Sequence, residues 1–246
     1  MRIERTEAII LHTYAARERD KMVVFLTPDR GKVKGWAYGA RGIRSRFGAS
    51  LEPLSKVRIG YAEKESENVV RIESIDLIRS LFPAQQNLLA SVSATYIAEM
   101  MDTFAAEHDP AELMYRLLDR TTEALLEGKP AMPVVAYAEI WILRLGGILP
   151  SLRQCMQCGA DLARPLRFDP KLEGFVCEEC KGRETFIVPN EVIDEIDAIL
   201  RMPVAEFALR RMRVETLFEV RSLAGTLRRN FLGHELKSFE VLASVV

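Results

Sequence analysis

The chain has 246 residues, 48% hydrophobic and 28% charged, a globular composition that excludes intrinsic disorder. Its longest apolar runs fall far short of the ~18 residues a membrane-spanning helix requires. The opening Met1-Arg2-Ile3-Glu4-Arg5-Thr6-Glu7 has no signal-peptide core, so the chain is expected in the cytoplasm, with its cysteines reduced. The net charge of −1 conceals an asymmetry. Residues 1–80 carry 16 Lys and Arg against 11 Asp and Glu, a net of +5, and the remaining residues carry 18 against 24, a net of −6. A polyanion site is therefore expected in the first 80 residues.

Those residues read as strands. Ile3, Ile9 and Leu11 lie in a run of period-two character. Met22 to Leu26 meets the turn Thr27-Pro28-Asp29-Arg30-Gly31, and Lys32 to Tyr38 returns from it as a hairpin. Leu54 to Tyr61 and Val69 to Ile78 follow, separated by a polar stretch. Five strands in about 80 residues suit a small closed barrel, an oligonucleotide-binding (OB) barrel first and an SH3-like barrel second.

From Pro83 the pattern turns helical. Leu88, Val92, Tyr96, Met100 and Phe104 recur at fours. Asp109-Pro110-Ala111-Glu112 reads as an N-cap, a first-turn proline and a capping-box glutamate. That helix should end at Gly128-Lys129-Pro130, and another should run from about Pro133 to Leu145. Val192, Ile196 and Leu200 mark a helix, and Val214 to Phe231 marks a long last one. The expected class is α+β: a five-stranded OB barrel over 1–80, then an all-helical domain over 83–246 with a four-cysteine zinc ribbon inserted at about 151–188.

All four cysteines fall in that insertion, as Cys155-x-x-Cys158 and Cys177-x-x-Cys180. Each pair forms a tight turn that offers two thiolates to one edge of a Zn²⁺ tetrahedron, with Zn–S near ~2.3 Å. Disulfides do not suit a reducing compartment. A redox C-x-x-C comes as one pair in a βαβ setting, and a catalytic zinc keeps a position open that four cysteines close. One structural Zn²⁺ is expected, a staple for a segment too short to build its own core. Arg153, Arg164, Arg167, Lys181 and Arg183 are placed in sequence to offset the negative charge of a Zn(Cys)₄ unit.

The stretch Arg30 to Gly48 holds six basic residues, five glycines and no acid. Lys32, Lys34, Arg41, Arg44 and Arg46 are the candidate phosphate contacts, the arginines in a glycine-bounded loop. Trp36, Tyr38 and Phe47 offer faces on which bases can stack. For Trp36 and Tyr38 the barrel core is the preferred place, which requires a bulge, because Lys32, Lys34, Trp36 and Tyr38 otherwise share one side of a strand. Arg221 and Arg228 lie two turns apart on the last long helix and form a second candidate surface, with a solvated helix face as the alternative. No phosphate-binding loop, dinucleotide fingerprint or H-E-x-x-H is present, and no acid pair is persuasive as a catalytic pair. A nucleic-acid-binding protein rather than an enzyme is expected; an RNA-binding barrel and a protein-interaction scaffold are the alternatives.

Thr6-Glu7-Ala8-Ile9-Ile10-Leu11, Asp20 to Thr27, Gly31-Lys32, Gly39-Ala40-Arg41, Ser45-Arg46, Leu51-Glu52-Pro53-Leu54, Leu145 to Pro150, the two C-x-x-C pairs and Leu236-Lys237-Ser238 follow one another in an order of their own. Together they resemble the RecO family of recombinational DNA-repair proteins. The resemblance implies an N-terminal OB fold, a helical domain and a structural zinc. It also implies binding of single- and double-stranded DNA, annealing of complementary strands, and loading of RecA together with RecR onto DNA coated by single-strand-binding protein. The C-terminal tail of that coat protein would dock on the helical domain.

Overall fold

The computed structural model describes residues 3–16, 18–42, 45–63 and 69–246. They fall into two compact units, one of residues 1–131 with 236–246, the other of residues 132–235.

The first unit is built on a closed barrel of β1 (Ile3–Ala15), β2 (Lys21–Thr27), β3 (Gly31–Ala37), β4 (Lys56–Ala62) and β5 (Val70–Arg79), in the order β1-β2-β3-β5-β4. β1 closes it by pairing with β4 through Ile3 to Ile9 and with β2 through Ile9 to Ala15, with a register shift between Ile10 and His12. All pairings are antiparallel except β3 with β5, where Gly35 faces Val70 and Trp36 faces Arg71. This is an OB-type barrel. Alternation puts Ala8, Ile10, Val23, Phe25, Val33 and Ile59 inside. At the parallel seam only glycine fits, because a Cβ on Gly35 would lie 2.8 Å from the Ile72 side chain.

β3 overturns one expectation. Its register against β2 runs unbroken from Gly31 to Ala37, so no bulge turns the aromatics inward. Val33 and Ala37 are buried while Lys32, Lys34 and Trp36 point outward. Trp36 and Tyr38 belong to the outer face, not the core.

Two helices follow in the same unit: α1 (Leu88–Phe104), whose Asn87 side chain accepts from the Ala90 N–H at 3.1 Å, and α2 (Glu112–Leu126). The expected Asp109 cap on α2 is not made; the N-cap is Ala111, without a side-chain bond. Residues 106–111 are instead stitched to the β2–β3 hairpin. Lys32 N–H donates to Ala106 O at 2.9 Å, His108 N–H to Lys32 O at 3.3 Å and Ala111 N–H to Pro28 O at 2.9 Å. Gly31, at φ +58°, permits this approach, since a Cβ there would sit 2.2 Å from Asp109 O.

The second unit contains α3 (Ala131–Leu145), a small sheet of β6 (Arg167–Asp169), β7 (Gly174–Val176) and β8 (Phe186–Ile187) in the order β7-β6-β8, then α4 (Asn190–Arg201), the single turn α5 (Val204–Phe207) and α6 (Val214–Leu232). α6 stops at Gly233, which takes the left-handed conformation at φ 74°.

A last helix, α7 (Lys237–Val245), was not legible in the sequence, and it belongs to the first unit. Its N-terminus is capped by a carboxylate from α1. Ser238 N–H donates to Glu99 at 2.8 Å and Lys237 N–H at 3.3 Å, and the Ser238 hydroxyl also donates to Glu99. Burial disfavours the Glu99 carboxylate, yet these donors outweigh it and hold its pKa below the usual range. The barrel strands end at Arg79, and compactness groups α1, α2 and α7 with the barrel. No described helix is long and apolar enough to cross a membrane.

Candidate nucleic-acid interface and cysteine cluster

Strand alternation places Lys32, Lys34 and Trp36 in a row on the outside of β3, and Tyr38 continues it. The Trp36 and Tyr38 rings stack at 6.3 Å with 20° between planes. Across the parallel seam, Arg71 of β5 is the register partner of Trp36, and its guanidinium lies 5.7 Å from the Tyr38 ring centroid. Arg71 escaped the sequence reading because a contact made by β3–β5 closure leaves no local trace. Two π faces with a guanidinium beside them form a surface on which unpaired bases can stack.

The glycine-bounded loop continues from this row. Gly39, at φ +71°, donates its N–H to Asp20 at 2.8 Å, and Arg41 N–H donates to Arg19 O at 3.0 Å, which ties the loop to the β1–β2 connection. The side chains of Arg41 and Arg46 are exposed, and Arg46 lies 4.9 Å from the centroid of the buried Phe47 ring. Arg44 lies outside the described residues.

The two lysines are already paired with acids. Lys32 donates to the Asp102 backbone carbonyl, lies 3.4 Å from the Asp102 carboxylate, and is mostly buried. Lys34 meets Glu107 at 2.7 Å.

The second expected surface is corrected. Arg221 and Arg228 do share one face of α6, but it faces inward. Glu139 of α3, 1% exposed, accepts from Arg221 at 3.1 and 3.3 Å. Arg228, also 1% exposed, lies 3.6 Å from Glu139 and bonds Glu235 at 2.5 Å. Enclosed among carboxylates, Arg228 has no surface to offer a phosphate. The missed signal was Glu139 itself, an acid inside the apolar run Val134 to Leu143.

The four cysteines come together, with every Sγ within 4.8 Å of the others and Cys158 Sγ 3.7 Å from Cys177 Sγ. A Zn–S bond of ~2.3 Å gives a tetrahedral S···S edge of about 3.8 Å, so the cluster is close to the size of one metal shell. The knuckles have matching turns: Gly159 N–H donates to Cys155 O at 2.9 Å with φ +75° at Gly159, and Cys180 N–H donates to Cys177 O at 3.2 Å. Burial resists ionisation of Cys155, yet backbone N–H groups of Cys158, Cys177 and Gln157 pull its pKa down to about 6. The thiols of Cys177 and Cys158 push Cys180 up to about 12. Four sulfurs this close favour one charge among them until a cation compensates the rest. Of the cations expected to offset them, Arg167 and Lys181 share Glu178, while Arg164 is held by Asp194 and Asp197 of α4.

Residues 1–81 match the family model described as Recombination protein O N terminal, and residues 85–240 match the one described as Recombination protein O C terminal. The chain belongs to the RecO family of DNA repair proteins. The "DNA repair protein RecO" of Desulforudis audaxviator is 33% identical over 98% of this chain and 97% of its own, and that of Koribacter versatilis is 33% identical over 84% of each. The Myxococcus xanthus protein of the same name is 28% identical over 97% and 96%. The two RecO matches meet at residues 82–84, where the barrel strands have ended and α1 is about to begin.

Proposed function

We propose that this chain is a recombination mediator that acts by binding rather than by catalysis. It binds single- and double-stranded DNA, anneals complementary strands, and works with RecR to load RecA onto DNA coated by single-strand-binding protein, whose C-terminal tail it engages. It does so in the cytoplasm. The observation that carries the DNA reading is the outward Trp36–Tyr38 stack beside Arg71 on an OB-type barrel, continuous in sequence with the exposed Arg41 and Arg46. Stacking contributes on the order of 1–3 kcal/mol per base and tolerates any sequence, while loop arginines add phosphate contact. Lys34 belongs to the same surface. Arg221 and Arg228 are left out of this surface.

The cysteine cluster is read as one structural Zn²⁺ held by Cys155, Cys158, Cys177 and Cys180. Four thiolates complete its shell, and the metal would fix the two knuckles relative to one another.

The test is fluorescence anisotropy of the full-length protein with labelled oligothymidylate, competed by duplex DNA and by RNA of the same length. Trp36→Ala should weaken single-strand binding by roughly fivefold to 100-fold and duplex binding far less, because paired bases cannot stack on it. Equal losses on both, or an RNA preference, would refute the assignment.

A further inference from the structure

Beside the stacked pair, Lys32, Lys34 and Arg71 each have a carboxylate within reach. Lys34 Nζ lies 2.7 Å from Glu107 Oε1, with the two side chains 43% and 41% exposed. Arg71 lies 2.9 Å from Glu73. Lys32, only 13% exposed, sits between Asp102 and Glu107, 3.4 Å from one and 3.9 Å from the other. Glu107 is not on a wandering loop. The backbone bonds of its neighbours, Lys32 N–H to Ala106 O and His108 N–H to Lys32 O, hold its segment against β3. Its carboxylate is thereby presented to the lysine two residues before Trp36. The hydrogen bond between them raises the pKa of Lys34 and lowers that of Glu107, so the pair is fully ionic near neutrality.

Lys32 and Lys34 differ in kind. Lys32 is largely buried and also donates to a backbone carbonyl, so it is committed to the fold. The Lys34–Glu107 pair is open to solvent, where ion pairs are weak and exchange readily. A phosphate approaching a base stacked on Trp36 meets that pair first, since side chains two apart on a strand lie about 7 Å from one another.

We propose that Glu107 is a built-in competitor for the nucleic-acid backbone: it occupies Lys34 when the site is empty and gives it up to a phosphate when a single strand lies along β3. The inference rests on the reading of β3 as the DNA-contacting strand. Its signature is in the ion balance. A lysine without a partner that meets a phosphate releases counterions and steepens the fall of log K with log salt by about 0.7 on single strands. A lysine that must leave a carboxylate gains less, because the ion atmosphere that gathers at the freed carboxylate offsets part of the release. Lys34 should thus add less than about 0.7 to the salt slope of the wild-type protein, and about 0.7 once Glu107 is neutral.

The experiment measures anisotropy of full-length protein with fluorescein-labelled oligothymidylate longer than the ~16 nucleotides one such barrel spans at most, between about 50 and 200 mM salt. The proteins are wild type, Glu107→Gln, Lys34→Gln, the double variant, and Glu112→Gln, which removes the same charge from an exposed site on α2. Glu107→Gln should bind several-fold tighter at the low-salt end, with a slope steeper by up to about 0.7, so that up to about 2.6-fold of its advantage disappears across the range. The double variant should behave as Lys34→Gln does, and Glu112→Gln as wild type. The proposal is overturned if Glu107→Gln keeps the wild-type affinity and slope, if the gain survives in the double variant, or if Glu112→Gln reproduces it. If neither wild type nor Glu107→Gln binds the oligonucleotide, the DNA reading of β3 falls, and the competitor with it.

Discussion

Glu139→Gln is the sharpest perturbation available in the second unit. The wild-type cluster sets Glu139 and Glu235 against Arg221 and Arg228, with Glu139 and Arg228 each 1% exposed and Arg221 14%. The substitution keeps size and shape but removes the carboxylate that Arg221 and Arg228 share. Breaking a buried pair by removing one charge costs about 3–5 kcal/mol, most of it the penalty of the charge left behind. With an m-value of about 2 kcal/mol/M in urea for a unit of this size, the midpoint should fall by about 1.5–2.5 M. The chain has two tryptophans, Trp36 in the first unit and Trp141 in the second. In a Trp36→Phe background, urea unfolding followed by fluorescence therefore reports on Trp141, whose indole N–H donates to Ile199 O at 2.9 Å. Adding Arg228→Met to Glu139→Gln should recover part of the loss by removing one of those two cations. A loss under about 1 kcal/mol would mean that water screens the cluster as it screens surface pairs, and the argument from burial would be refuted.

Three other outcomes are expected. Protein purified without chelator should contain one zinc per chain by atomic absorption, and Cys177→Ser should lower metal content and the stability of the second unit while leaving single-strand affinity intact; metal content near zero would refute the site. Arg41→Ala with Arg46→Ala should weaken binding to all sequences alike and flatten the salt slope by up to ~1.4, at ~0.7 per contact, and a lower affinity with an unchanged slope would make the two arginines structural. The pKa of Glu99 is depressed in the folded chain below its ordinary 4.5, so its contribution to α7 docking is complete above that value and disappears as pH falls through the lower folded one. Hydrogen-exchange protection along α7 should fall in that acid range, and Glu99→Gln should remove the acid dependence; protection in the variant that still falls with acid would refute the assignment.

The strands and the cysteine knuckles were legible because their signals are local: period-two alternation, a turn sequence, and C-x-x-C spacing that fixes two thiolates per turn. The outward Trp36 was half legible. Its register with Lys32 and Lys34 is plain in the sequence, and strand geometry outweighs the aromatic character that favours the core. Arg228 shows the limit of one-dimensional charge reading. Seven-residue spacing from Arg221 identifies a shared face correctly, but whether that face meets water or Glu139 depends on which helix packs there. α7 was invisible for a related reason, since its cap is a glutamate some 140 positions earlier in the chain. Asp109 failed as a cap because its segment is held by the hairpin at Gly31, a contact whose only sequence trace is a glycine.

Because α7 returns to the first unit, that unit is discontinuous, with residues 132–235 threaded between its two parts. The order of synthesis is then fixed by topology. Residues 237–245 are synthesised after residues 132–235, so the first unit still lacks a helix while the second is being made. Until α7 arrives, the part of α1 that it covers is left open, including Tyr96, whose ring lies 5.8 Å from that of Phe239, and Glu99 has no helix end to hold. The nascent barrel thus carries an unfilled apolar strip for the time needed to translate about a hundred further residues, roughly 5–20 s at ~5–20 residues per second. For the same reason, dissection of this chain by simple truncation after the barrel does not isolate a complete unit.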